Sequence, residues 1–130
     1  MKQYAISPGQ RLKSSRDFAK VFGRRARAAD ARLLVYAAEN ALGHTRFGVS
    51  VSRKVGGAVV RSAVKRLLRE AFRLSQHKLP CGLDLVLIPH REAVADAGLD
   101  DYRKSLVALA RRLSRRIAPG TPDRPKPIDN

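Results

Sequence analysis

From Thr45 to Ser52 apolar and small polar positions alternate, with Phe47, Val49 and Val51 on one side and Gly48, Ser50 and Ser52 on the other. That period of two predicts a strand with one core face and one flat, open face. From about Val59 to Gln76 the period lengthens to that of a helix. On a helix advancing by about 100° per residue, Arg61, Lys65, Arg66, Arg69 and Arg73 share an arc of roughly 140°. Val60, Val64, Leu67, Leu68, Ala71 and Leu74 fill the arc opposite. One side is suited to packing on a sheet, while the other sets cations one turn apart, as neutralising a nucleic-acid backbone requires. An ordinary solvated face mixes signs, yet Glu70 is the one acid between Arg61 and Arg73. Like charges at i,i+4 cost stability unless an anionic partner offsets them.

Residues 1–13 read as an irregular basic arm. Ser14 or Ser15 then caps a short helix, with Ser14 and Asp17 as a capping pair and Gly23 as the stop. Arg32 to Glu39 is apolar enough for a strand buried on much of both faces, and Asn40 to His44 makes a turn into the strand at Thr45 to Ser52. The two are expected to form an antiparallel hairpin. After the basic helix, Pro80-Cys81-Gly82 breaks the chain, and Leu83 to Ile88 forms a third strand closed by Pro89. Asp100 and Asp101 open a last helix. Its Tyr102, Leu106, Leu109, Ala110, Leu113 and Ile117 recur at helical spacing, with Arg103, Lys104, Arg111, Arg112, Arg115 and Arg116 outside. Those late arginines also suit the negative end of the helix dipole. Helix, strands, helix, strand, helix is the order of an α+β fold, a two-layer sandwich of helices on a small sheet.

A chain of 130 residues supports one domain, placed here at residues 1–117. From Ala118 to Asn130 four of thirteen residues are proline with no periodicity, which predicts a disordered tail. The formal charge of +16 is uneven: residues 1–78 carry 18 Lys and Arg against 4 Asp and Glu, and residues 79–130 carry 9 against 7. The binding surface is therefore expected in the first half. No apolar run approaches the ~18 residues of a spanning helix, and the basic helix lacks the bulky apolar wedge of an interfacial anchor, so an anionic polymer is the better partner than a membrane. Met1 to Arg16 has no apolar core of the signal-peptide kind, and Cys81 is a lone cysteine in a turn. Both features point to a reducing cytoplasm.

Protein-based catalysis finds little support. In the first half the acids are Asp17, Asp30, Glu39 and Glu70, too dispersed to hold catalytic metal ions. His44, His77 and His90 fall in three different elements with no ligand spacing, and Gly56-Gly57 alone is no phosphate loop. Aromatics are sparse. Phe18 and Phe22 stand one turn apart on the first helix, with Tyr36 on the neighbouring strand. They either pack in the core or edge a groove floored by Gly48, Ser50 and Ser52, where unpaired bases could stack.

Phe47-Gly48-Val49-Ser50-Val51-Ser52-Arg53-Lys54-Val55-Gly56, then Ala58-Val59, Arg61 and Val64-Lys65-Arg66-Leu67-Leu68-Arg69-Glu70-Ala71-Phe72-Arg73, resembles the protein subunit of bacterial ribonuclease P. So do Arg11-Leu12-Lys13, Asp17-Phe18, Val21-Phe22, Asp84-Leu85-Val86 and Tyr102-Arg103. The resemblance covers about residues 8–117. It implies a mixed sheet with a left-handed strand-helix-strand crossover, an exception to the usual hand. It also implies an RNA-binding subunit that assists a catalytic RNA in removing the 5′ leader of precursor tRNA. Magnesium would be held mainly by the RNA, and no obligatory protein partner is evident. Carried over by motif, Phe18, Phe22, Tyr36, Ser50 and Ser52 form the leader groove. Arg53, Lys54, Arg61, Lys65, Arg66, Arg69 and Arg73 form the phosphate contacts to the RNA subunit. The alternative is a general RNA-binding or ribosome-associated protein with no processing role. One departure falls on the signature itself: the family's Arg-Asn-Arg is Arg61-Ser62-Ala63 here, which removes an amide and a cation.

Overall fold

The computed structural model describes Ile6 and residues 8–117; the expected tail and the start of the arm lie outside the described residues. Three helices, α1 (Ser15–Arg24), α2 (Ala58–Ser75) and α3 (Leu99–Arg116), accompany strands β1 (Ala26–Ala29), β2 (Leu33–Glu39), β3 (Arg46–Val49) and β4 (Leu83–Pro89). The strands form one mixed sheet in the order β1-β2-β4-β3. The α+β class is the one expected, but the two expected layers become three, because Val86 and Tyr36 on the second sheet face are covered by α1. Helices cover both faces: Leu33, Val35, Leu85, Leu87, Phe47 and Phe72 share a core with Leu106 and Leu109 of α3, while Val21 of α1 meets Ala38 and Val86 on the opposite side. Phe47 and Phe72 stack with ring centroids 4.1 Å apart, fixing α2 on β3.

The expected hairpin does not form. β4 lies between β2 and β3, antiparallel to the first and parallel to the second. The reason is that Leu83, Leu85 and Leu87 need one core and Val86 needs the other, so β4 has no side to give to solvent and takes an interior position. β3 becomes an edge strand joined to β4 through α2. Its edge is partly covered by the arm, where Arg11 bridges to Phe47 and the Leu12 N–H donates to the Phe47 carbonyl at 2.8 Å.

Two local expectations also change. Ala26–Ala29 is too poor in β-branched residues to announce a strand, yet it pairs with β2 from Ala26–Ala37 to Ala29–Leu34. Gly23 does not stop α1; the helix runs through it, and Arg25 takes the left-handed cap at φ 63° with its N–H donating to the Phe22 carbonyl. The N-terminal capping pair does form: Ser14 Oγ accepts from the Asp17 N–H at 3.1 Å, and Asp17 Oδ2 accepts from the Lys13 N–H at 3.3 Å.

Arg46 and Asp84 form a bidentate pair on the α1 side of the sheet, Nε–Oδ1 2.8 Å and Nη2–Oδ2 2.6 Å, and Asn40 Nδ2 donates to Asp84 Oδ1 at 2.7 Å. Asp84 is 1% exposed, so removing its partner strands a buried charge. Arg46→Ala is expected to cost about 3–5 kcal/mol in urea unfolding, while Arg46→Met combined with Asp84→Leu recovers most of that loss. The Asp17 pKa lies below its ordinary value, chiefly through the Lys13 N–H; slight burial opposes this, and the Ser14 N–H and Arg46 reinforce it. The stability it confers is thus present above its unfolded pKa and is lost as pH falls through the depressed folded one. Asp17→Asn should flatten that acid-side slope in stability against pH.

Candidate nucleic-acid interface

Strand alternation and register place Arg27, Tyr36, Val86 and Gly48 in one row across all four strands, on the face that α1 crosses. Phe22 stands edge-on to Tyr36, with centroids 4.9 Å apart and planes at 75°. Phe18 lies directly over Gly48: a Cβ added there would overlap the Phe18 ring and come within 3.2 Å of Leu12 Cβ. Glycine at 48 is therefore a packing requirement of α1. Both phenylalanines and Tyr36 remain half-buried, so they close one core while leaving ring surface at its margin.

At the β3 edge this row opens into a pocket of about 140 Å³, lined by Arg11, Leu12, Phe18, Gly48, Lys65 and Arg69 among others. At about 30 Å³ per water molecule, the space is ample for a hydrated or phosphate-sized group. Lys65 and Arg69 stand one turn apart on the flank of α2 that overhangs β3, which is how a helix on one face of the sheet delivers charge to the margin of the other. Neither has an ion-pair partner among the described residues.

The remaining cations of the helix have different surroundings. Arg61 Nε donates to the Gly56 carbonyl at 3.2 Å, Arg66 projects outward, and Arg73 is neutralised by two hydrogen bonds to Glu70. Glu70 is in turn held below the usual carboxylate range by that guanidinium. Arg53 and Lys54 are exposed in a short 3-10 turn after β3, packed near a second such turn at Arg91–Ala93. Ser50 continues β3 by one residue, its N–H donating to the Leu87 carbonyl at 3.0 Å. Ser52 does not floor the groove. It has left the sheet, and its Oγ accepts from the Lys54 N–H at 3.0 Å, because a serine before a 3-10 turn finds its nearest donor in the backbone. Ser62 and Ala63, together with Val59 at 84% exposure, give the start of α2 a surface with fewer charges than the middle of the helix.

Four contributors escaped the sequence reading. Leu34 and Ile88 are half-buried on the same face as Tyr36 and Val86; Leu34 was findable, being two residues from Tyr36 on one strand. Arg11 reaches the pocket only because the arm pairs with β3, and Arg27 reaches Tyr36 only because β1 exists. Arg27 Nη1 donates to the Tyr36 hydroxyl at 3.2 Å. The arrangement as a whole is a half-open aromatic and aliphatic floor with cations at its ends, able to take stacked bases and a phosphate backbone together.

Comparison with known proteins places the fold in a family. The ribonuclease P family model matches residues 6–114. The chain belongs to the ribonuclease P protein family. It is 36% identical over 104 residues to the ribonuclease P protein component of Alkaliphilus oremlandii, covering 80% of this chain and 90% of that protein. With that of Brevibacillus brevis it shares 41% identity over 103 residues, 78% and 81% respectively. Among solved structures, the ribonuclease P protein of Thermotoga maritima superposes with a TM-score of 0.72 at 31% identity, covering 78% of this chain and 96% of that one.

In this ribonuclease P protein, Gly48→Ala is expected to destabilise by about 1–3 kcal/mol in denaturant unfolding, because Phe18 must move off the sheet. Adding Phe18→Leu should restore part of that loss, since the smaller side chain clears the new methyl group.

Proposed function

We propose that this chain is the RNA-binding partner of a catalytic RNA in the endonucleolytic removal of the 5′ leader from precursor tRNA. The reading rests on one observation above the others: Phe18 over Gly48 meets Lys65 and Arg69, which have no ion-pair partner among the described residues, at one pocket beside an otherwise half-open sheet face. An unpaired leader supplies what that place lacks, bases to lie against the rings and phosphates to neutralise the cations. The outward cations Arg53, Lys54 and Arg66 then face the RNA subunit, with Arg61 and Arg73 contributing less because the Gly56 carbonyl and Glu70 already engage them.

Catalytic chemistry is assigned to the RNA. The described residues do not fit a resident divalent cation: none of their His, Cys, Asp and Glu side chains form a cluster of three. Four acids are also committed elsewhere, Asp84 to Arg46, Glu70 to Arg73, Glu39 to Arg24 and Asp17 to backbone amides. Magnesium in this proposal sits on RNA phosphates. No helix among the described residues is long and apolar enough to cross a membrane.

Reconstitution with a matching RNA subunit at low magnesium tests the proposal. Cleavage of precursor tRNA should accelerate when the chain is added, and no gain in rate would count against the assignment. Lys65→Ala and Arg69→Ala should each lower the salt-dependence slope of precursor binding by about 0.7, the value for one lost single-strand phosphate contact. A slope equal to the wild type's would place those side chains off the RNA.

A further inference from the structure

The groove has a second end. At β3 its cations are Lys65 and Arg69; at the opposite edge of the sheet, β1 carries Arg27 on the same face, next to Arg25. Three inter-strand steps separate the two edges, about 14 Å, so a group held at one end is out of reach of the other. We infer that Arg25 and Arg27 form a second phosphate clamp, which takes the leader where it leaves the sheet at β1. The inference rests on the leader-binding reading of the same groove.

Three observations carry it. Arg27 is held ready: its Nη1 donates to the Tyr36 hydroxyl at 3.2 Å, and its carbonyl accepts from Arg116 Nη1 at 2.7 Å, which ties the open edge of β1 to the last turn of α3. The guanidinium is exposed and has no acid partner among the described residues, so its remaining donors face solvent beside the one tyrosine of the floor. Arg25 is the second observation. It occupies the left-handed cap of α1 at φ 63°, the sole non-glycine residue with positive φ among the described residues. Glycine would be relaxed there, and a bulky cation is strained. An exposed arginine kept at a strained position is explained by what its charge binds. Third, the neighbouring Arg24 is already neutralised by Glu39 at 2.9 Å, so where α1 runs into β1 the charges without an acid partner among the described residues are those of Arg25 and Arg27.

The experiment measures the affinity of the reconstituted holoenzyme for precursor tRNAs with a graded series of leader lengths, beside the same tRNA without a leader. Wild type should bind more tightly as the leader lengthens, then level off. Arg27→Ala and Arg25→Gly should bind the shortest leaders like wild type yet lose about three- to tenfold for the longest. Arg25→Gly should at the same time raise the melting temperature, an opposite sign that no purely structural role produces. Arg27→Gln, which keeps an N–H donor for the Tyr36 hydroxyl but removes the charge, should lose the gain with length as Arg27→Ala does. If it binds long leaders like wild type, Arg27 only positions Tyr36 and the clamp is overturned. Variants that follow the wild-type length dependence throughout overturn it too. If wild type itself does not distinguish leader-bearing from leaderless tRNA, the leader-binding reading fails first and takes the clamp with it.

Discussion

The fact that β4 is apolar on both faces decides the architecture. Leu83, Leu85 and Leu87 close one core and Val86 the other, so the strand has to be flanked on both edges and covered on both faces. β2 and β3 are thereby separated, α1 is drawn to one side, and α2 and α3 to the other. β3 is left at an edge. That edge is where a cationic helix lying on the far face can reach the groove on the near one, and it is why Lys65 and Arg69 share a pocket with Phe18.

The same packing sets the character of the floor. α1 sits close because residue 48 has no side chain, and the closeness wedges Phe18 and Phe22 partly into a core without sealing them. The choice between core rings and groove rings is therefore a false one here. An edge-on Phe22 and Tyr36 stabilise the fold and still present π surface at the margin, which is cheap in entropy because packing already holds both rings.

Electrostatics divides the basic residues by what they already touch. The interior pair Arg46–Asp84 is structural, Arg73 and Arg24 are neutralised by local acids, and Arg61, Arg111 and Arg116 donate to backbone carbonyls. A formal charge of +16 thus overstates the binding surface. Of the cations without such a contact, Arg11, Lys65 and Arg69 line the pocket at β3, Arg25 and Arg27 stand at the β1 end, Arg66 is on the outer side of α2, and others, such as Lys20 on α1 and Arg112 on α3, are exposed elsewhere. A surface of that kind is self-repelling alone and relaxed against a polyanion, which ties stability of the folded chain to its RNA.

Much of this was legible before folding. Helical period set α2 and α3 to within a residue or two, Ser14 and Asp17 announced the start of α1, and the segregated cations of α2 named a polyanion as partner. β1 was not legible, because Ala-Arg-Ala-Ala has no intrinsic preference for a strand and becomes one only by pairing with β2. Nor was the sheet order, since sequence neighbours pair by default and only the need to bury both faces of β4 breaks the hairpin. The cations at the groove ends followed from that order. Periodicity is local and is written in the chain, so it determined the elements and the sign of the partner. Which residues meet across the sheet depends on how several half-apolar surfaces are covered at once, and that competition is settled only in three dimensions.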